Sequence, residues 1–143
     1  MALTLDAARS IVDTALRTAR AKKFQPLAVA VLDQRGKLKA FAAEDGTSLR
    51  RAEIATGKAH GALAMGLGSR TIGNMAAERP HFVAAVTHAV GGSLIPVPGG
   101  VLVRDSAGAV IGAVGVTGDT SDNDEVAAVA GITAVGLKAD PGS

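Results

Sequence analysis

Twice along this chain an apolar run meets Asp-x-x-Gly and turns back on itself. Leu27-Ala28-Val29-Ala30-Val31-Leu32 leads through Asp33-Gln34-Arg35-Gly36 into Lys37-Leu38-Lys39-Ala40-Phe41. Gly100-Val101-Leu102-Val103-Arg104 leads through Asp105-Ser106-Ala107-Gly108 into Ala109 to Val116. Two apolar runs flanking a short Gly-containing turn read as a hairpin, so the chain carries two antiparallel strand pairs. Common turn chemistry explains the repeated Asp-x-x-Gly, and no internal duplication is needed.

Helical segments surround these hairpins. From Thr4 to Lys23, Leu5, Ala8, Ile11, Val12, Ala15, Leu16 and Ala19 recur at spacings of three and four, with Asp6, Arg9, Asp13, Arg17 and Arg20 opposite, which predicts an amphipathic helix. Ser48 to Gly68 reads as a helix rich in small residues (Ala52, Ala55, Ala59, Gly61, Ala62, Ala64), a face over which another backbone can pass closely. That smooth face also suggests self-association. Ser69 to Glu78 reads as a shorter helix. Arg79 to Gly100 mixes Pro, Gly and short apolar runs, and is expected to form a loop over the sheet followed by an edge strand around Ser93 to Val97. Asp122 to Lys138 reads as a closing helix, and the tail at residues 141–143 is expected to fray. Strands that arrive in hairpins between helices imply an α/β (α+β) domain, a mainly antiparallel sheet with helices packed on it. At 143 residues with no candidate linker, one domain spanning 1–143 is expected.

Composition narrows the chemistry. Hydrophobic residues make up 48% of the chain but aromatics only 2%, so the core is built from Ala, Val, Ile and Leu, and only three Phe can stack on a flat ligand. The absence of Cys excludes disulfides, thiolate metal sites, a cysteine nucleophile and covalent attachment of c-type haem. The start, Met1-Ala2-Leu3-Thr4-Leu5-Asp6, lacks the basic and apolar regions of a secretory signal, and charges or Gly/Pro clusters interrupt every apolar run. A cytoplasmic protein without a membrane partner is expected. Net charge is +2, and among basic residues only Lys22-Lys23 and Arg50-Arg51 are adjacent, so there is no nucleic-acid track.

The segment most suggestive of a site is Pro96-Val97-Pro98-Gly99-Gly100-Val101, where prolines restrict the backbone and glycines permit close approach. Pro98, Gly99 and Gly100 are candidates for the wall of a ligand pocket. Gly112, Gly115 and Gly118 have the wrong spacing for a dinucleotide loop, and Asp119, Asp122, Asp124 and Glu125 would repel a phosphate there. The same acids lack the pattern of a calcium loop and read as capping residues. His60, His81 and His88 are not at zinc-ligand spacing, and no metal site is expected. Lys58 and His60 share a helix but, two residues apart, lie on different faces. Lys58, His60 and Glu125 are candidates for acid, base or anion anchor.

Several motifs resemble the GlcG/HbpS-like family, also found as the C-terminal domain of PduO proteins. The matching residues are Val31-Leu32-Asp33 with Gly36 and Leu38, Phe41 before Asp45-Gly46, Lys58-Ala59, Pro98-Gly99-Gly100-Val101, Ile111-Gly112-Ala113-Val114-Gly115-Val116 and Asp124-Glu125. The resemblance implies a five-stranded antiparallel sheet with helices on both faces. It also implies a homo-oligomer, often an octamer, and haem as the small-molecule ligand that is bound or handled, in association with catabolism. Should haem bind, His60, His81 or His88 is the expected donor in a chain without Cys and Tyr, ahead of Met65, Met75 or Lys58. The alternative is a cofactor-independent enzyme on a small acidic catabolic metabolite.

Overall fold

Residues 1–143 are described by a computed structural model, and the two hairpins form the greater part of one sheet. The first joins β1 (Ala28–Asp33) to β2 (Leu38–Ala43), and the second joins β3 (Gly100–Arg104) to β4 (Val110–Thr117). β1 and β4 pair to give the order β2-β1-β4-β3-β5, antiparallel throughout. Both turns close in the same way. Asp33 Oδ1 accepts from the backbone N–H of Arg35 and Lys37, and Asp105 Oδ1 from those of Ala107 and Ala109. Gly36 and Gly108 then take φ of +79° and +86°, where a Cβ would be strained.

The two faces of the sheet differ in kind. Val29, Val31, Val101, Val103, Ile111, Val114 and Val116 point to one side, where α1 (Leu5–Ala21) and α5 (Ser121–Ala134) pack on the sheet and on each other. Ala28, Ala30, Leu32, Leu102 and Ala113 point to the other, where α2 (Arg51–Met65) lies over β1, β4 and β3. This alanine-rich face lets α2 sit unusually close. A Cβ at Gly115 would collide with the Ala55 carbonyl oxygen. The small residues of α2 are therefore used inside the molecule. Ala55, Ala59 and Ala62 face the sheet, while Gly57 and Gly61 face the segment at 94–95, where a Cβ would come within 2.7 Å of Ile95 Cγ1 and 2.9 Å of Leu94 Cγ. The smooth face that the sequence offers for self-association is thus largely covered by the protein itself.

Four other expectations are corrected. Residues 80–89 are not loop but α4 (Pro80–Ala89), with Pro80 in the first turn, where its missing N–H costs nothing. Together with α3 (Ser69–Glu78), it closes a small core of Ile72, Val83 and Leu94. Residues 93–97 form no edge strand, because they lie across α2. The place beside β3 is taken by β5 (Lys138–Asp140), which pairs Leu102 with Asp140 and Arg104 with Lys138. The closing helix accordingly ends at Ala134 rather than Lys138, since Gly136 takes φ of +78° and reverses the chain. The tail is docked rather than frayed. Arg70 N–H donates to the Pro141 carbonyl, and Ser143 N–H to Thr71 Oγ1 at 2.9 Å.

At the other edge, the β1–β2 register shifts between Val31 and Leu32. Ala40 pairs with Val31 and Leu38 with Leu32, so Lys39 bulges without a partner. Leu38 shares its face with Leu32, yet α2 does not cover it and it stays 59% exposed. Leu49, in the β2–α2 loop, is 93% exposed. No helix is long and apolar enough to cross a membrane.

The helix-to-sheet contact at Gly115 makes a direct prediction. Gly115→Ala forces α2 away from β4 and should destabilise the fold by at least about 2–3 kcal/mol, as for overpacked cores. Thermal or urea denaturation of the variant would read this as a lowered midpoint.

Candidate functional site

Lys58 sits on the stretch of α2 that packs against the sheet, among alanines and glycines, and is only 2% exposed. A charged group there needs partners, and it finds two. Its Nζ donates to the Val116 carbonyl at 2.8 Å and to Asp124 Oδ2 at 3.1 Å. Asp124 is equally buried at the start of α5, and its Oδ1 accepts from Asp119 N–H at 2.9 Å. Burial pushes the Lys58 ammonium below its usual range against the pull of Asp124. Burial likewise pushes the Asp124 carboxyl up against the pull of Lys58. Both directions express the cost of taking the charges out of water, and the mutual attraction is what offsets it.

Pro98, Gly99 and Gly100 lead into β3 directly beneath this pair. Gly99 has φ of +119°, and a Cβ on it would stand 2.6 Å from the Val116 carbonyl oxygen and 2.9 Å from Lys58 Nζ. A Cβ on Gly100 would collide with the Lys58 carbonyl, and Gly100 N–H donates to the buried Ser69 Oγ at 2.6 Å. The two glycines therefore allow the entry to β3 to press against α2. Around the pair lie two arginines. Arg51 donates to the buried Thr117 Oγ1 at 2.8 Å, and Arg70 makes a two-pronged bond to Glu125 at 3.1 Å on each oxygen and a further bond to Asp122. These carboxylates raise the Arg70 guanidinium above its ordinary value, led by Glu125. Asp119 accepts from the N–H of Gln25, and from Asn123 and Thr120, and these bonds hold its carboxyl below the usual range, with Gln25 the largest cause. Thr120 caps α5 through Asn123 N–H.

The candidates thus divide. Lys58 and the Pro98–Gly100 segment come together, Asp124 meets Lys58 Nζ from α5, and Glu125 lies one residue on, held by Arg70. Lys58 and Glu125 are both committed to ion pairs. His60 points elsewhere. Its Nδ1 lies 2.7 Å from the Ser93 carbonyl oxygen, and its Cδ2 is 3.8 Å from where a Cβ on Gly36 would stand. His81 and His88 are exposed on α4 and their rings have no hydrogen-bond partner; next to His81, the Phe82 ring is stacked by Arg79 at 4.2 Å. The structure does not gather the three histidines with the Pro98–Gly100 segment. A groove of about 540 Å³ runs along α2 between Ala52, Glu53, Ile54, Thr56 and Gly57 on one side and Gly91, Gly92, Ser93 and Ile95 on the other.

Sequence reasoning placed Asp124 among ordinary capping residues and missed its pairing with Lys58 across 66 positions. One signal was available: a lysine on the small-residue stripe of a helix that must face a core demands a counter-ion. The Ser93 carbonyl had no such signal, since backbone acceptors carry no mark in the sequence.

The family model for haem-degrading, HbpS-like proteins matches residues 3–133. The solved structure of HbpS aligns over 94% of this chain and 91% of its own length, at 26% identity and a TM-score of 0.81. A doubly substituted HbpS from Streptomyces reticuli aligns over 94% and 88%, at 26% identity and 0.80. The haem complex of PduOC shares the fold over 96% and 97% at 21% identity and 0.85. No curated protein gives a significant match.

Removing one partner of the buried pair strands the other. Lys58→Met should cost about 3–5 kcal/mol. Adding Asp124→Asn, which keeps an acceptor for Asp119 N–H, should restore at least about 1 kcal/mol of that loss. Urea denaturation of the single and double variants measures both quantities.

Proposed function

We propose, because the chain belongs to the HbpS-like family, that it binds haem as its small-molecule ligand and does so as a homo-oligomer. The observation that carries this reading is the likeness to HbpS, at 26% identity along 94% of the chain and with the same fold. The donor chemistry of this chain agrees with it. Without Cys and Tyr, the imidazole donors at or near the surface are His60, His81 and His88, and a neutral imidazole is a common axial ligand of haem iron. The grooves on the chain are open ones, so the ligand lies at the surface or between subunits, with the rigid Pro98–Gly100 segment as part of the framework that sets the wall. Haem supplies the iron; the protein supplies a donor, apolar surface and shielding from water.

Self-association, in an octamer, is supported by large apolar side chains left in water. Leu49 is the most exposed of these and Leu38 follows after Met1, and a second copy covering the two leucines removes their cost. The reading as an enzyme on a small acidic metabolite asks Lys58, His60 or Glu125 to act as acid, base or anchor. Lys58 and Glu125 would first have to leave an ion pair.

Titration with haemin, followed by absorbance, should give a saturable shift of the main band at one site per subunit. A spectrum that grows linearly with added haemin overturns the reading. Light scattering at micromolar concentration should report a mass several times that of the 14.2 kDa chain, and a monomer would remove the oligomer.

A further inference from the structure

We infer that His60, and neither His81 nor His88, is the nitrogen donor of this chain, held ready for a metal-centred planar ligand by the backbone of Ser93. The inference rests on the haem reading and names the residue within it.

A carbonyl oxygen can only accept, so the 2.7 Å bond to Ser93 places the proton of the neutral ring on Nδ1. The lone pair is then on Nε2. That nitrogen has no hydrogen-bond partner in the protein, and no buried side-chain nitrogen or oxygen of this chain lacks one, so Nε2 reaches solvent. A ring nitrogen whose opposite N–H is fixed by a carbonyl is the arrangement that orients metal-ligating histidines and raises their basicity. His81 and His88 have no such partner.

The surroundings of His60 suit a flat ligand. Its ring stands between the turn at Gly36 and the turn at Gly91–Gly92, which precedes Ser93. All three glycines have positive φ, +79°, +87° and +91°, and no side chain to screen the imidazole. On one side of the ring is the Gly36 turn, two residues before the exposed Leu38. On the other side is the 540 Å³ groove, whose helix wall of Glu53, Thr56 and Gly57 is continued at the next turn by His60, in the i, i+3, i+4, i+7 stripe of one helix face. Ile54 and Ile95 supply its apolar walls.

The test uses the full chain and three readouts. In apo protein labelled with ¹⁵N-histidine, NMR should show the Nδ1–H tautomer for His60; an Nε2–H tautomer overturns the inference. On haemin titration, His60→Ala should bind about tenfold or more weakly and lose the histidine-ligated band, and added imidazole should restore that band. His81→Ala and His88→Ala should match wild type. Wild-type binding that survives unchanged in His60→Ala overturns the inference and leaves the haem reading standing. Failure of wild type to bind saturably overturns both. Should His60→Ala unfold, resonance Raman of the wild-type complex decides, since a spectrum without an iron–imidazole stretch overturns the assignment.

Discussion

The near contact of α2 with β4 sets the dimensions of everything around it. With Gly115 beneath the Ala55 carbonyl, the helix backbone rests on the sheet backbone instead of on intervening side chains. Dispersion grows with the number of atoms held at van der Waals distance, so a small-residue contact compensates for the lack of large rings in the core. The opposite face, made of valine and isoleucine, keeps α1 and α5 at side-chain distance. One sheet thereby supports a tight layer and a thick layer, and the tight one carries the polar groups of interest.

That closeness explains why Lys58 is ion-paired. A lysine on α2 facing the sheet cannot snorkel to water through so thin a gap, so its charge is met inside by Asp124 and the Val116 carbonyl. The pair ties α2, β4 and α5 together at one end of the sheet. Two residues further along, on another face, His60 is free of that demand and lies against the loop backbone. The same helix thus carries a closed charge pair and an open imidazole, separated by a rotation of two residues.

Hairpins and amphipathic spacing were legible because they are local. Asp33 and Asp105 each close a turn with their own neighbours, and the helix from Thr4 shows its stripe in its own residues. What was not legible depends on competition between distant segments. Ser93 to Val97 has the composition of a strand, but Gly57 and Gly61 offer it a helix surface while β5 takes the sheet edge. The extent of the closing helix turned on Gly136, whose positive φ is a tertiary choice. At the site, the residues were legible as chemical types, whereas their partners were not. Glu125 reads as a candidate base until Arg70, 55 positions away, is seen to hold it.

The bulge at Lys39 bears on how the chain behaves at high concentration. An open sheet presents two rows of unpaired amides to any neighbouring chain, a standing invitation to strand addition and fibril growth. Here one border, β5, is three residues long, too short to template much. The other, β2, is longer and apolar in places, but its ladder breaks at Lys39, with Lys37 two residues before it. An incoming strand would meet an irregular hydrogen-bond row and two ammonium groups, so orderly association through the faces of the molecule is left open while runaway growth along its border is discouraged.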